Sequence, residues 1–216
     1  MAKVFLYLYP IEEFTKMFLF HNDTRYDEIG RERPLPVLNE TIDKRYRQKE
    51  YQVVYALYPD KKMFGIEPQE TDKTIYTDIT FADASAYNEK GEEKKDFIPK
   101  YPSEEKLISQ LGEVEQLVVG GYHFSDCVRR VAEYALNKGI DTLVDIDMTD
   151  LFFNVYLEKD YFEMDNYSPE RYRKHMINKW DPEDADFGEM LFDKHYASPV
   201  YGFNNDSDEK LKQRGE

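Results

Sequence analysis

A doubly wound α/β fold with a mostly parallel sheet is predicted by this sequence, on three observations. The stretch Glu115–Phe153 reads as strand, glycine turn, helix, glycine, strand. Three further strand-like runs precede it, at Val4–Tyr9, Tyr51–Tyr58 and Thr74–Phe81, mostly separated by helical patterns. The chain of 216 residues, 41% of them hydrophobic, is long enough to bury one full-sized core.

In chain order, VFLYLY (Val4–Tyr9) is rich in strand formers and stops at Pro10, as a buried first strand would. Residues 11–33 read only as a polar, charged connection. Leu35, Leu38, Ile42 and Tyr46 then recur at helical spacing after Pro34 and Pro36, predicting a helix over Pro34–Lys49. YQVVYALY (Tyr51–Tyr58) is a second strand ended by Pro59, and TIYTDITF (Thr74–Phe81) alternates as a less buried third. Ala84–Lys95, with its NEKGEEKK run, reads as a solvated loop or hairpin. Ser103 opens a short helix with a capping-box-like start, and Gly112 follows its end.

The central unit has the clearest pattern. Leu117-Val118-Val119 is an apolar run ended by Gly120-Gly121, as in a strand buried on both faces. Val128, Val131, Ala132, Ala135 and Leu136 form one apolar helical stripe. Ser125 or Asp126 is positioned to cap that helix, and Gly139 sits where a left-handed stop belongs. Leu143–Asp147 resumes as a strand, so the unit is βαβ with a right-handed crossover. Ligands of such sheets bind outside the carboxyl ends of the strands, which is where Cys127 falls.

Residues 1–153 thus form the α/β core of a single domain, and 154–216 a C-terminal extension. In the extension Ser168-Pro169-Glu170 starts a helix leading to Trp180, DPEDAD (Asp181–Asp186) breaks it, and Glu189–Phe203 is an aromatic arm. An extended apolar segment needs a surface to cover, so the arm is expected to lie on its own domain or on a partner subunit of a homo-oligomer. The last ten or so residues are expected to fray.

Composition narrows the partners. A net charge of -15 opposes phosphate backbones and anionic lipid, so neither nucleic acid nor a membrane is expected. The start lacks the layout of a signal peptide, and one cysteine precludes an internal disulfide framework. Both fit a cytoplasmic protein.

Residues Gly121, Cys127, Val128, Ala132, Ala135, Gly139 and Asp147 stand at the spacing of a known pattern: buried strand, Gly, Cys-Val six residues on, Ala-rich helix, Gly, strand ending in Asp. In this the chain resembles the isochorismatase-like cysteine hydrolases, the family of nicotinamidase and N-carbamoylsarcosine amidohydrolase. The resemblance implies a Rossmann-like, three-layer αβα core and cleavage of an amide or related bond of a small molecule. It further implies a Cys nucleophile, here Cys127, with a Lys for which Lys100 is the best match. The family's Asp at the end of the first strand is replaced by Tyr9, leaving Glu12, Glu13 or His123 to take the proton. The same likeness makes Tyr9, Gly121, Tyr122, Phe124 and Asp126 the residues around the substrate. Nicotinamidases add an Asp and two His after the second strand. YALYPDKKMFG offers one Asp and no His, so no metal or other cofactor is expected.

Each candidate also has a plain structural reading. A free Cys is among the most buried residue types, a lone His more often packs, Lys100 reads as a surface lysine and Asp126 as a helix cap. A binding or assembly protein that kept the scaffold without catalysis is therefore the alternative function. A third reading, a magnesium-dependent phosphatase using Asp145 and Asp147, rests on D-x-D-x-T at a strand end (Asp145–Thr149).

Overall fold

The structure, a computed structural model, describes residues 2–19, 34–87, 92–98, 100–149 and 200–201. In chain order these form β1 (Ala2–Leu8), α1 (Glu12–Leu19), α2 (Pro34–Arg45), β2 (Gln52–Leu57), β3 (Lys73–Tyr76) and α3 (Phe81–Ala84). They continue with α4 (Glu104–Ser109), β4 (Val114–Gly121), a π-helical turn (Phe124–Val128), α5 (Arg129–Asn137), β5 (Asp141–Thr149) and β6 (Val200–Tyr201). The C-terminal helix and nearly all of the aromatic arm lie outside the described residues. Val200 and Tyr201, from the arm, pair with Val144 and Asp145.

One sheet of six parallel strands runs β3-β2-β1-β4-β5-β6. This is the predicted doubly wound, Rossmann-like arrangement, and its winding reverses between β1 and β4. The run from Val4 to Leu8 is buried throughout, as are Val53–Leu57 and Leu117–Gly121, because helices cover both faces of a parallel sheet. β3 alternates about the single buried Ile75, as an edge strand does. Right-handed crossovers place α2 on one face and α4 and α5 on the other.

Helix α2 is held to the sheet by the stacking of Tyr46, just past its end, on Phe5, with ring centroids 3.6 Å apart. Helix α5 buries Val131, Ala132 and Ala135, as its stripe predicts. Its end is a left-handed stop: Gly139 has φ +81°, its N–H donates to Leu136, and the Ile140 N–H donates to Ala135.

Three local expectations are corrected. The third strand ends at Tyr76, short of Phe81, because Thr80 starts a helix: its hydroxyl accepts the Asp83 N–H while the Asp83 carboxylate accepts from Thr80. The connection after β1 opens with a helix, α1. Asp126 does not cap α5, because the chain enters it through a wider π turn in which the His123 carbonyl accepts from the N–H groups of Asp126 and Val128; the Ser125 side chain lies outside the described residues. Ser103 does cap α4, accepting from the Lys106 N–H at 3.3 Å, without the reciprocal half of a capping box.

Candidate active site

Two strand ends build the site, β1 and β4, the pair at which the sheet reverses its winding. They approach closely. Gly121 ends β4 at φ +97°, and a Cβ there would lie 2.2 Å from the Leu8 carbonyl oxygen of β1. Only glycine allows that approach. A cis peptide joins Tyr122 to His123, and the π turn then presents Asp126 and Cys127.

Cys127 lies on the wall of a cavity of about 960 Å³. His123, Asp126, Lys100 and Glu13 line the same cavity, so the fold brings together five of the residues singled out from the sequence. The rest of the lining includes the aromatic rings of Phe14, Tyr58, Phe81 and Tyr101. Asp60, just after β2, accepts the Phe81 N–H at 2.7 Å and the Ala82 N–H at 3.2 Å, fastening α3 as one wall.

The charged groups are mostly engaged. Glu13 pairs with Lys61, whose Nζ also sits 4.6 Å from the centre of the Phe81 ring. Lys100 is at the rim, its side chain 65% exposed, with Asp83 3.9 Å away. His123 packs edge-on against Phe14, ring centroids 4.7 Å apart. Behind the sulfur a narrow cleft is bounded by Tyr9, Tyr101, Glu104, Arg130 and Val131. There Arg130 pairs with Glu104 at 2.6 Å and covers the Tyr101 ring at 4.1 Å.

The thiol is not activated in the resting site. Burial, then the neighbouring Asp126 carboxylate, push Cys127 from 9.0 up to about 12, outweighing a backbone hydrogen bond from His123 and the charge of Arg130. The lowering that a helix start gives a thiol is thus overridden by desolvation and a like charge.

Other expectations are revised. Glu12 does not line the cavity; it is exposed and pairs with Lys16 one turn along α1. Tyr122 is buried between Tyr7 and Phe14, so it packs the core instead of meeting a ligand. Gly121 serves the strand crossing. The Phe124 side chain lies outside the described residues. Tyr9, with φ 56°, stands directly after β1 and is buried against the cleft behind Cys127. Asp145 is fully buried, and its carboxylate is taken by Arg45 and by the Tyr46 hydroxyl, which argues against a phosphatase nucleophile there. The Asp147 side chain is outside the described residues. Among the described residues, no three His, Cys, Asp or Glu side chains cluster as metal ligands would, and no helix is long and apolar enough to cross a membrane.

Tyr58 and Asp60 are among the lining residues not singled out from the sequence. Tyr58 is one of eighteen tyrosines and sits at the end of a strand, with nothing in its spacing to mark it. Asp60 was noticed only as the lone acid after the second strand.

Fold and site together define a parallel α/β protein with one thiol at the winding reversal of its sheet. No family model matches the chain, and no curated protein matches it. Among solved structures, it is similar to an isochorismatase-like hydrolase from Alkaliphilus metalliredigens, with TM-score 0.45 and 12% identity, covering 99% of this chain and 98% of that one. It is also similar to an N-carbamoylsarcosine amidase from Thermoplasma acidophilum, with TM-score 0.40 and 16% identity, covering 93% and 95%. A provisional MAR1 ribonuclease from Leishmania major gives TM-score 0.43 and 14% identity over 89% and 93%. At such identities no residue role transfers.

Proposed function

We propose that this chain is a cysteine-dependent hydrolase that cleaves an amide or related bond of a small molecule, with Cys127 as nucleophile. The observation that supports this most is the position of Cys127. It stands at the C-terminal end of a parallel sheet, at the winding reversal, on the wall of a cavity it shares with His123 and Lys100.

The chemistry runs in two steps. The Cys127 sulfur attacks the carbonyl carbon, forming a C–S bond, as its proton passes to a base. Of the three bases expected from the sequence, Glu12 lies outside the cavity and Glu13 is held by Lys61, so the role falls to His123. The oxyanion collapses, the C–N bond breaks, and the amine leaves with the proton from His123. Water then adds to the thioester, releasing a carboxylate and returning the thiol. Because the resting thiol is held near 12, the proton leaves during attack, not before it.

A second reading, ligand binding without turnover, is favoured by one observation: Tyr9 occupies the position after β1 where the resembled family carries its carboxylate. One experiment separates the two. The protein is incubated with p-nitrophenyl acetate, and its intact mass and p-nitrophenolate release are followed. The hydrolase reading expects an acetyl adduct on Cys127 that is regenerated, and loss of turnover in Cys127→Ala. An unmodified Cys127, with release unchanged in Cys127→Ala, overturns it.

A further inference from the structure

The charges in the cavity wall are answered from within the chain, with one exception beside the nucleophile. Glu13 is matched by Lys61, Asp60 by the N–H groups of Phe81 and Ala82, and Lys94 by the carbonyls of Ala82 and Ser85. Arg130, which lines the cleft behind the sulfur, is taken by Glu104 and the Tyr101 ring. Asp126 is half-buried, lines the cavity and directly precedes Cys127 in the π turn. Among the described residues its carboxylate accepts no hydrogen bond and joins no ion pair. It also works against its neighbour, since its charge is the second cause, after burial, that pushes Cys127 up. Tyr58, in the same wall, is raised by it as well. A bare anion held against a thiol disfavours the reactive thiolate, unless whatever enters the cavity brings the opposite charge.

We propose that Asp126 selects the substrate by charge, its carboxylate seating an N–H cation (an ammonium, amidinium or guanidinium) of a small molecule presented to Cys127. Resting on the reading of this cavity as the substrate site, the inference names the substrate class: a cation with a partly apolar body. Three features fit it. A carboxylate whose oxygens are both open can accept two parallel hydrogen bonds from a planar amidinium or guanidinium. The rings of Phe14 and Tyr58, in the same wall, suit both a cation and an apolar body. A cation at Asp126 offsets its repulsion of the thiolate, so the right ligand eases loss of the Cys127 proton, whereas an anion would hinder it. The lysines of the wall do not point the other way. Lys61 and Lys94 are already matched, and Lys100 stands at the rim near Asp83, its side chain 65% exposed.

The test uses three probes of one shape and different charge: benzamidine, benzamide and benzoate. Their binding to the full chain is measured by titration calorimetry at pH 7 in wild type, Asp126→Asn and Asp126→Glu. Benzamidine is expected to bind wild type about tenfold or more tightly than benzamide, with benzoate weakest. It is expected to lose about tenfold in Asp126→Asn, as the loss of a charge-assisted hydrogen bond would give. Asp126→Glu keeps the charge and is expected to keep the preference for benzamidine over benzoate. In wild type, benzamidine is also expected to change the rate of Cys127 alkylation by iodoacetamide, with the midpoint seen in calorimetry. Benzamidine binding wild type no more tightly than benzamide overturns the proposal, as does an unaltered alkylation rate; both readings need no variant to fold. Affinity left unchanged in Asp126→Asn overturns it too. If benzamidine behaves as expected while p-nitrophenyl acetate leaves Cys127 unacylated, the hydrolase reading fails and the cation site stands. If Cys127 turns over but benzamidine shows no preference, only the cation site fails.

Discussion

Arg45 and Asp145 stand a hundred residues apart in the chain, yet Arg45 Nη1 donates to both carboxylate oxygens of Asp145, at 2.9 and 2.8 Å, inside the core. Tyr46 adds its hydroxyl to the same carboxylate while its ring stacks on Phe5. Helix α2 is thereby fastened to β5, across the middle of the sheet, by a desolvated ion pair.

Breaking that pair from one side leaves a buried charge alone. Asp145→Ala is expected to cost about 3–5 kcal/mol in urea unfolding, as is Arg45→Met. The double variant Arg45→Met/Asp145→Leu is expected to recover a large part of the loss, since no charge remains to be buried. Equal losses in the single and double variants would contradict this account of α2.

The close crossing of β1 and β4 predicts a contrast between two glycines. Gly139→Ala meets only the left-handed backbone penalty, about 1–2 kcal/mol, because no atom stands within 4 Å of its Cβ. Gly121→Ala suffers the same penalty and also drives its Cβ into the Leu8 backbone. It should be the more destabilising by a clear margin in thermal unfolding, and it should alter Cys127 labelling, because the π turn hangs from that strand end.

The pH dependence of Cys127 follows from its environment. Iodoacetamide labelling is expected to be slow at pH 7 and to rise about tenfold per pH unit, with no plateau below pH 10, since the thiol is held near 12. Asp126→Asn removes the second-largest cause of that rise and should speed labelling at neutral pH several-fold. The raised thiol also makes stability fall at high pH. The folded thiol keeps its proton above the pH at which the unfolded thiol, near 9, loses it. Its contribution is therefore present below pH 9 and is lost as pH climbs from about 9 to 12. Urea midpoints that stay level between pH 9 and 11 in wild type and in Cys127→Ala alike would refute the raised thiol.

Helix α4 gives a simple check on local reading. Ser103 accepts the Lys106 N–H, and its own N–H donates to Asp78 at 2.8 Å. Ser103→Ala keeps the second contact and loses the first, so a loss of about 1 kcal/mol is expected in urea unfolding. Asp78, held low chiefly by that Ser103 N–H and also by Lys106, contributes stability at neutral pH that falls away as acid protonates it.

Much of this protein was written locally in its sequence. The continuous apolar runs at Val4–Tyr9, Tyr51–Tyr58 and Leu117–Val119 determined buried parallel strands, because alternation disappears when both faces are covered. The stripe from Val128 to Ala135 and the stop at Gly139 determined α5, because a helix needs only neighbours three and four residues away. These local rules also placed Cys127 at a strand-to-helix turn at the mouth of the sheet. What they could not supply was anything that depends on distance across the fold. Only the tertiary structure brought Tyr58 and Tyr9 near the sulfur, tied Asp60 to α3, withdrew Glu12 from the site and closed Arg45 on Asp145. It also set the upward direction of the thiol's shift. Desolvation and charge are summed over neighbours in space, and the groups that decide Cys127 (Asp126 and His123 at the π turn, Arg130 on α5 and Glu104 on α4) are brought together only when the sheet is assembled.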